Sequence, residues 1–273
     1  MAAPIHPTSQ GGFAKGTNEL YNKARPQYQP KALSHLRGAI KSTGPLNVVE
    51  VGAGTGLFTR ALLAHPGWAA IRAVRAVEPS EGMREAFAKY TADERVVLSG
   101  GTFDATGVES GWADLVVVAT AFHWCADYET AAAEFARILK PGGVLSLLWN
   151  AEDREAAQWL SQCRERAERD DKGAPNWRSG HWRELYSAPS YVKSFNPPEE
   201  KIFRYDAVGT VGDIVRRGLT SSRVAILTDA QKEAFARDVE DIVQRGDGKV
   251  WVDEEKGTFV YPHMIPVVIS ERM

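Results

Sequence analysis

The sequence predicts an α/β fold built on a doubly wound parallel sheet. Short β-branched runs alternate with segments of helical apolar spacing across residues 46–150. Strands that alternate with helices at short intervals pair in parallel through right-handed crossovers. In such sheets ligands lie beyond the carboxyl ends of the strands, where the chain order reverses. The loops that follow the strands are therefore where a functional site is expected.

The elements of this region can be placed in order. Each strand is short and apolar, and each helix has apolar residues on one face. The third helix is expected to carry Lys140 in its last turn, because Pro141 and two glycines follow as stop signals. The predicted strands are 46–51, the end of 71–80, 95–101, 113–121 and 144–150, and the helices between them are 56–65, 81–90 and 129–140.

The flanking regions are less regular. Residues 1–12 are expected to form a flexible tail, and 13–41 two short helical pieces broken at Pro26 and Pro30. Residues 151–257 predict a mostly helical cap, with one strand at 201–208 and a long helix capped by Thr228 or Asp229. Residues 258–273 predict a final strand that is antiparallel or near an edge, because two prolines interrupt it. We expect a single domain over 13–273, with 46–150 as its ligand-binding core.

Composition excludes several classes of function. A net charge of −2 and the absence of a basic run argue against nucleic acid or an anionic membrane as partner. Two cysteines without a CxxC pair suit a reducing compartment and predict no metal. No apolar stretch approaches the ~18 residues of a membrane span, and the first fifteen residues do not resemble a signal peptide. A cytoplasmic protein that acts on a small molecule, as a monomer or homodimer, is the expectation.

The loop Gly52–Gly56, after the first strand, discriminates between cofactors. A nucleoside triphosphate loop needs a lysine after the glycines, and none follows here. A dinucleotide fingerprint needs a small third residue, but that position is Leu57. S-adenosylmethionine needs no diphosphate clamp, only a close backbone approach, which glycines allow. Glu78 at the end of the second strand can accept both ribose hydroxyls, and Glu50 suits a ligand with an ammonium and a sulfonium.

Five segments in order carry a family resemblance: EVGAGTG, VEPSEGM, AFHW, ARILKPGG and LLWN. Together they resemble class I S-adenosylmethionine-dependent methyltransferases of the type 11 group, and the chain is most similar to trans-aconitate methyltransferase-like small-molecule enzymes. The resemblance covers residues 13–150 and is weak beyond them. It implies a Rossmann-like seven-stranded sheet with helices on both faces, an antiparallel last strand, an N-terminal lid and a C-terminal cap. It also implies methyl transfer from S-adenosylmethionine to a small molecule, such as a carboxylate or a secondary metabolite, with S-adenosylhomocysteine as product.

The resemblance assigns roles to individual positions. The sequence from 101 to 107, GTFDATG, departs from the commoner acid-leucine-proline pattern, which leaves the contacts of Asp104 open. The implied cofactor residues are Glu50, Gly52, Ala53, Gly54, Thr55, Gly56, Glu78, Pro79, Met83, Thr102, Phe103, Asp104, Ala119, Ala121 and Phe122.

Fewer residues are assigned to the binding of the methyl acceptor. His123 is the candidate catalytic residue, with three roles open: a general base, a hydrogen-bond donor to the substrate or a packed imidazole. Arg223 in the cap can pair with a carboxylate substrate. The remaining candidates for lid or substrate contacts are Tyr21, Arg25, Trp124 and Trp149.

Other functions stay open from the sequence. A protein that binds S-adenosylmethionine without transferring its methyl, as another kind of enzyme or as a regulator, would retain the same loop. A dehydrogenase would have to bind a nicotinamide dinucleotide despite Leu57. Methylation of nucleic acid is disfavoured, because no base-extruding Asn/Asp-Pro-Pro-Tyr motif is present.

Overall fold

A computed structural model describes residues 22, 24–169, 175–246 and 248–273, so Tyr21 and the predicted tail lie outside the described residues. Over these residues the chain forms a mixed sheet of nine strands with helices on both faces. Two of the strands are very short, and the remaining seven form the body of the sheet. The expected Rossmann-like α/β class is confirmed.

The first half of the chain supplies five parallel strands in the order β3-β2-β1-β4-β5. The chain moves outward from β1 to β3 and then returns to the other side of β1, so the order reverses between β1 and β4. The strands are β1 (Leu46–Val51), β2 (Ile71–Val77), β3 (Val96–Ser99), β4 (Ala113–Ala119) and β5 (Leu139–Leu148); the helices are α1 (Pro30–Ala39), α2 (Leu57–Ala64), α3 (Glu81–Tyr90) and α4 (Tyr128–Ile138).

The boundary between α4 and β5 differs from the sequence-based expectation, since β5 begins at Leu139 and not at residue 144. Helix α4 ends at Ile138, so Lys140 is not in its last turn but at the start of β5. Lys140 Nζ instead forms an ion pair with Asp114 Oδ1 at 2.7 Å, at the start of β4. The residue before a proline disfavours the helical region, which places the end of the helix ahead of Lys140 and Pro141.

The second half of the chain extends the sheet through one long strand. β9 pairs antiparallel with β5, β6 and β8 and, along its length, with β7. The elements are β6 (Ala151–Glu152), α5 (Gln158–Glu168), α6 (Pro189–Ser194), β7 (Glu199–Gly209), α7 (Val211–Leu219), α8 (Ser222–Ala225), α9 (Asp229–Arg245), β8 (Trp251–Asp253) and β9 (Thr258–Glu271).

The prolines of β9 do not place it at an edge. The strand is antiparallel, as expected, but it is interior, and β7 forms the outer strand on that side. Proline lacks an N–H group, so it weakens an interior strand unless the partner strand is interrupted there. Pro266 lies opposite the break between β5 and β6, where its carbonyl accepts from Trp149 N at 3.1 Å. Pro262 likewise accepts from Asp153 N at 3.0 Å, just beyond β6.

Buried residues fill both faces of the sheet, and the cap has a core of its own. All six residues of β1 are buried, as expected for a parallel strand covered by helices on both sides. One face packs Val116, Val118 and Phe135, and the other packs Val48, Leu115 and Val117. The cap cluster includes Trp159, Ile214, Phe235, Val239 and Phe259. Among the described helices, none combines the length and apolarity needed to cross a membrane.

The depth of this core gives a stability prediction. Val117 in β4 is 0% exposed, whereas Val97 in the edge strand β3 is 47% exposed. Val117→Ala removes two packed methyl groups and should lower the free energy of unfolding by about 2–3 kcal/mol. The same substitution at Val97 should change it by less than about 0.5 kcal/mol. Urea unfolding of both variants tests this, and equal effects would contradict the burial described here.

Candidate functional site

A cavity of about 390 Å³ lies at the carboxyl ends of the central strands, at the point where the strand order reverses. Loops that follow β1, β2, β3, β4 and β5 contribute to its wall, together with the segment 25–28 that precedes α1. This is where ligands bind in doubly wound sheets. Among the residues assigned from the sequence, those on the wall are Glu50, Gly52, Ala53, Gly54, Thr55, Glu78, Pro79, Met83, Thr102, Phe103, Asp104, Ala119, Ala121, Arg25 and Trp124.

The glycine loop lets the backbone pass close to β4 and leaves space above it. A Cβ atom on Gly52 would lie 2.6 Å from the Cβ of Ala121, a distance that real contacts do not show. A Cβ atom on Gly54 would meet nothing within 4 Å, so this residue faces open space in the cavity. Both glycines have positive φ, +76° and +58°. Gly56 is the N-cap of α2 and, unlike the other two, is not on the cavity wall.

Glu78 is held at the end of β2 by backbone groups. Its Oε2 accepts from Gly54 N and its Oε1 from Ser80 N, each at 2.9 Å. Burial raises the pKa of this carboxyl, and the two backbone hydrogen bonds oppose that shift. The side chain is therefore fixed in orientation, and each of its oxygens retains capacity to accept a further hydrogen bond.

Glu50 lies on the cavity wall near the end of β1, and it is almost fully buried. The hydroxyl of Thr59 donates to its Oε2. Burial raises the pKa of Glu50 to about 8, while the hydrogen bond from Thr59 and the charge of Arg60 act in the opposite direction. Burial thus favours the protonated form of Glu50 at neutral pH.

The loop after β3 forms a second end of the cavity. Thr102 Oγ1 donates to Asp104 Oδ1 at 2.6 Å, and Phe103 packs edge-on against Phe122 with ring centroids 5.6 Å apart. Phe122 itself is fully buried beneath the wall, where it also packs on Phe135, so it supports the cavity without lining it.

The wall also contains residues that the sequence did not assign, and three of them form one hydrogen-bonded group: Tyr28, Thr120 and Asn150. Tyr28 OH lies 2.9 Å from Thr120 Oγ1, and Asn150 N donates to the same hydroxyl at 3.2 Å. Thr120 has φ +57°, a strained conformation for a β-branched residue. Their position in the sequence could have indicated two of these residues, because Thr120 follows β4 and Asn150 follows β5.

His123 is fixed by Trp149 and lies off the cavity wall. Trp149 Nε1 donates to His123 Nδ1 at 3.2 Å. Because an indole nitrogen only donates, Nδ1 must be unprotonated, and the neutral ring carries its hydrogen on Nε2. Burial, followed by the charges of Arg223 and Arg25, lowers the pKa of His123 to about 3. The ring is therefore neutral at physiological pH and poorly suited to act as a general base.

Two further sequence assignments differ from the structure. Trp149 is completely buried and packs against Trp177 and Trp182, so it belongs to the core and not to the acceptor side of the cavity. Arg223 is also buried, in α8, and lies off the cavity wall. Arg25 is on the wall, and its Nη2 donates to the carbonyl of Thr220, which brings the cap against the N-terminal segment.

Comparison with known proteins agrees with this geometry. Residues 49–147 match the family described as methyltransferase domain. Over these residues the chain is similar to a methyltransferase domain. It is 32% identical to an uncharacterized methyltransferase-like protein of Schizosaccharomyces pombe, over 63% of this chain and 64% of that protein. It is 28% identical to a second uncharacterized methyltransferase of the same yeast, over 82% of this chain and 84% of that protein. The match thus spans slightly less than two thirds of the first of these relatives.

Solved structures support the same fold. The YcgJ protein of Bacillus subtilis superposes with a TM-score of 0.56 at 13% identity, over 89% of this chain and 98% of that one. At this identity the likeness concerns the fold alone. The domain match and the relatives show that the chain is similar to methyltransferases, and its sheet order is that of a doubly wound α/β fold.

The residues of the cavity fit S-adenosylmethionine. Gly54 faces open space where a side chain would project into the cavity, and the fixed carboxylate of Glu78 lies beside it. The described part of the wall carries five acidic side chains, a suitable environment for a ligand with an ammonium and a sulfonium.

The raised pKa of Glu50 predicts how stability depends on pH. The ordinary pKa of a glutamic acid is 4.5, and the pKa of Glu50 in the folded protein is about 8. Between these two pH values the folded state holds a proton on Glu50 that the unfolded state releases. The stability of the unliganded protein should therefore fall as pH rises through this window. Calorimetry of the wild type and Glu50→Gln should show a difference in melting temperature that widens from pH 5 to pH 8, in favour of the variant. Parallel curves would contradict the assignment.

Proposed function

We propose that the protein transfers the methyl group of S-adenosylmethionine to a small molecule that carries a carboxylate or a similar anionic group. The observation that supports this acceptor is the position of Arg25. Along the described part of the cavity wall, it is the basic side chain among five acidic ones, Glu50, Glu78, Glu81, Asp104 and Asp127. A guanidinium binds carboxylates with two parallel hydrogen bonds.

The charges of the wall are divided between two ends. Glu50 lies near the end of β1, and Glu78 and Asp104 follow β2 and β3, whereas Arg25 contacts the cap through its hydrogen bond to the carbonyl of Thr220. Arg223 also lies near this end, because its charge and that of Arg25 both act on His123. The acidic end suits the cationic cofactor and the basic end an anionic acceptor.

The proposed cofactor contacts follow from this division. Glu78 would hold the ribose hydroxyls, and the backbone of Gly52–Gly54 would lie along the methionine moiety. Pro79, Met83 and Phe103 would flank the adenine, with Asp104 near its amine. When bound, S-adenosylmethionine supplies an activated methyl group on a sulfonium, so the protein itself has to orient the acceptor and exclude water.

The neutral imidazole of His123 agrees with an anionic acceptor. A carboxylate needs no proton removed before it attacks, whereas an alcohol or a protonated amine does. With Nδ1 occupied by Trp149, His123 offers a hydrogen-bond donor at Nε2 and no lone pair for a proton. The resemblance to trans-aconitate methyltransferase-like enzymes supports the same class of acceptor.

The ribose assignment of Glu78 predicts a loss of cofactor affinity. Glu78→Ala removes a carboxylate with two acceptor oxygens and should weaken S-adenosylhomocysteine binding at least tenfold, because hydrogen bonds to charged groups contribute about 1.5–3 kcal/mol. Isothermal titration calorimetry measures this directly. The exposed carboxylate of Glu233 provides a control, since Glu233→Ala lies outside the cavity wall and should bind as the wild type does. Unchanged affinity in Glu78→Ala would contradict the assignment.

The acceptor assignment predicts a selective effect at Arg25. A panel of small carboxylic acids with S-adenosylmethionine should yield methylated products, detected by mass together with S-adenosylhomocysteine. Arg25→Ala should raise the KM for the acceptor at least tenfold and leave cofactor affinity within about threefold, because only the basic end changes. Arg237→Ala, at an exposed arginine of α9, should behave as the wild type does.

The same assay separates the alternatives. Binding of S-adenosylhomocysteine without any methylated product would favour a binding protein or a reaction other than methyl transfer. Methylated products confined to uncharged acceptors would contradict the anionic class while leaving the methyltransferase activity in place.

A further inference from the structure

Asn150 connects three elements at the rim of the cavity. Its Nδ2 donates to the carbonyls of both Pro26 and Gln27, at 3.0 Å each. Its Oδ1 accepts from the hydroxyl of Tyr205, in β7, at 2.7 Å. The residue is 6% exposed and is itself part of the wall. One buried amide thus joins the N-terminal segment to the end of β5 and to the middle of β7.

The orientation of this amide is determined by its neighbours. A primary amide has two donors at nitrogen and an acceptor at oxygen. Here the nitrogen faces two carbonyl oxygens and the oxygen faces a hydroxyl donor. The reverse orientation would place Oδ1 against two carbonyl oxygens and lose the acceptor for Tyr205, so the hydrogen bonds themselves fix the assignment.

A second connection runs parallel to the first. The backbone N–H of Asn150 donates to Thr120 Oγ1, and the same hydroxyl is in contact with Tyr28 OH. Asn150, Thr120 and Tyr28 therefore form a closed circuit with the chain segment 26–28. The circuit also holds Thr120 in its strained conformation at the end of β4.

We propose that Asn150 is a positioning residue, which fixes the segment 25–28 as a wall of the cavity and thereby places Arg25 and Tyr28. These two side chains lie immediately before and after the tethered carbonyls in sequence. A displaced segment would carry both away from the cavity and admit water to it. The catalytic consequence rests on the proposed function, whereas the tether itself does not.

Asn150→Asp tests the proposal with nearly unchanged shape. The carboxylate retains an acceptor for Tyr205 but sets negative charge against the carbonyls of Pro26 and Gln27. We expect S-adenosylhomocysteine to bind about tenfold more weakly by calorimetry, because the two hydrogen bonds that hold the segment 25–28 in the wall are lost and its displacement admits water to the cavity. Hydrogen–deuterium exchange of the amides in residues 24–29 should accelerate, while exchange in β1 and β4 stays slow. The KM values for cofactor and acceptor should rise more than kcat falls.

Two further variants separate positioning from simple damage to the fold. Tyr205→Phe removes the hydroxyl at Oδ1 but leaves both donors to the carbonyls, so its affinity should stay within about threefold of the wild type. Asn150→Ala removes the donors without adding charge and should show faster exchange in 24–29 even if Asn150→Asp does not fold.

The outcomes are distinct from those of the proposed function. Unchanged exchange in 24–29 and unchanged affinity in both Asn150 variants would overturn the positioning role. If the Asn150 variants show faster exchange in 24–29 but the wild type binds no S-adenosylhomocysteine, the positioning role is supported and the proposed function is refuted.

Discussion

The pairing of β1 with β4 is the constraint on which the rest of this structure depends. The register sets Glu50 beside Val117, so the loops after the two strands leave the sheet side by side. They come so close that Gly52 has no space for a side chain against Ala121. The glycine loop, Thr120 and the wall residues around them all follow from this one contact. A side chain at position 52 would separate the two halves of the site.

Burial where the strand order reverses explains the raised pKa values of two carboxyl groups in the cavity. Glu50 and Glu78 end adjacent strands, and taking a carboxyl out of water favours its neutral form. The protein keeps them there with hydrogen bonds from Thr59, Gly54 and Ser80. A cationic ligand at this end of the cavity would lower both pKa values, because an opposite charge favours the ionised form. Strong perturbation of buried groups in a cleft is typical of functional sites.

Aromatic packing decides the chemistry of the only sequence-derived candidate for catalysis. His123 lies in the turn after β4, where ligand-binding residues are expected in this fold, and for that reason the sequence analysis selected it. Its function is set by Trp149, a residue 26 positions further along whose indole lies in the core. The pair converts an imidazole that can act as a base into one that can only donate. No pattern within AFHW indicates this, since the decisive partner comes from another strand.

The sequence by itself determined the α/β class, the order of strands and helices from β1 to β5, and the glycine loop that lines the cavity. These follow from local signals: β-branched runs, stop residues and glycines whose backbone conformation other residues avoid. It also identified the wall residues that stand next to those signals, such as Glu78 and Asp104.

Only the tertiary structure decided that β9 is interior, that Trp149 and Arg223 are buried, and that Asn150 holds the segment around Arg25. Each of these depends on contacts between residues distant in the chain, such as the 124 positions that separate Asn150 from Pro26. Periodicity reports which side of an element is apolar, but a hydrogen bond between two loops depends on where the folded sheet brings them together. That is why the fold was predictable, while the acceptor side of the site was not.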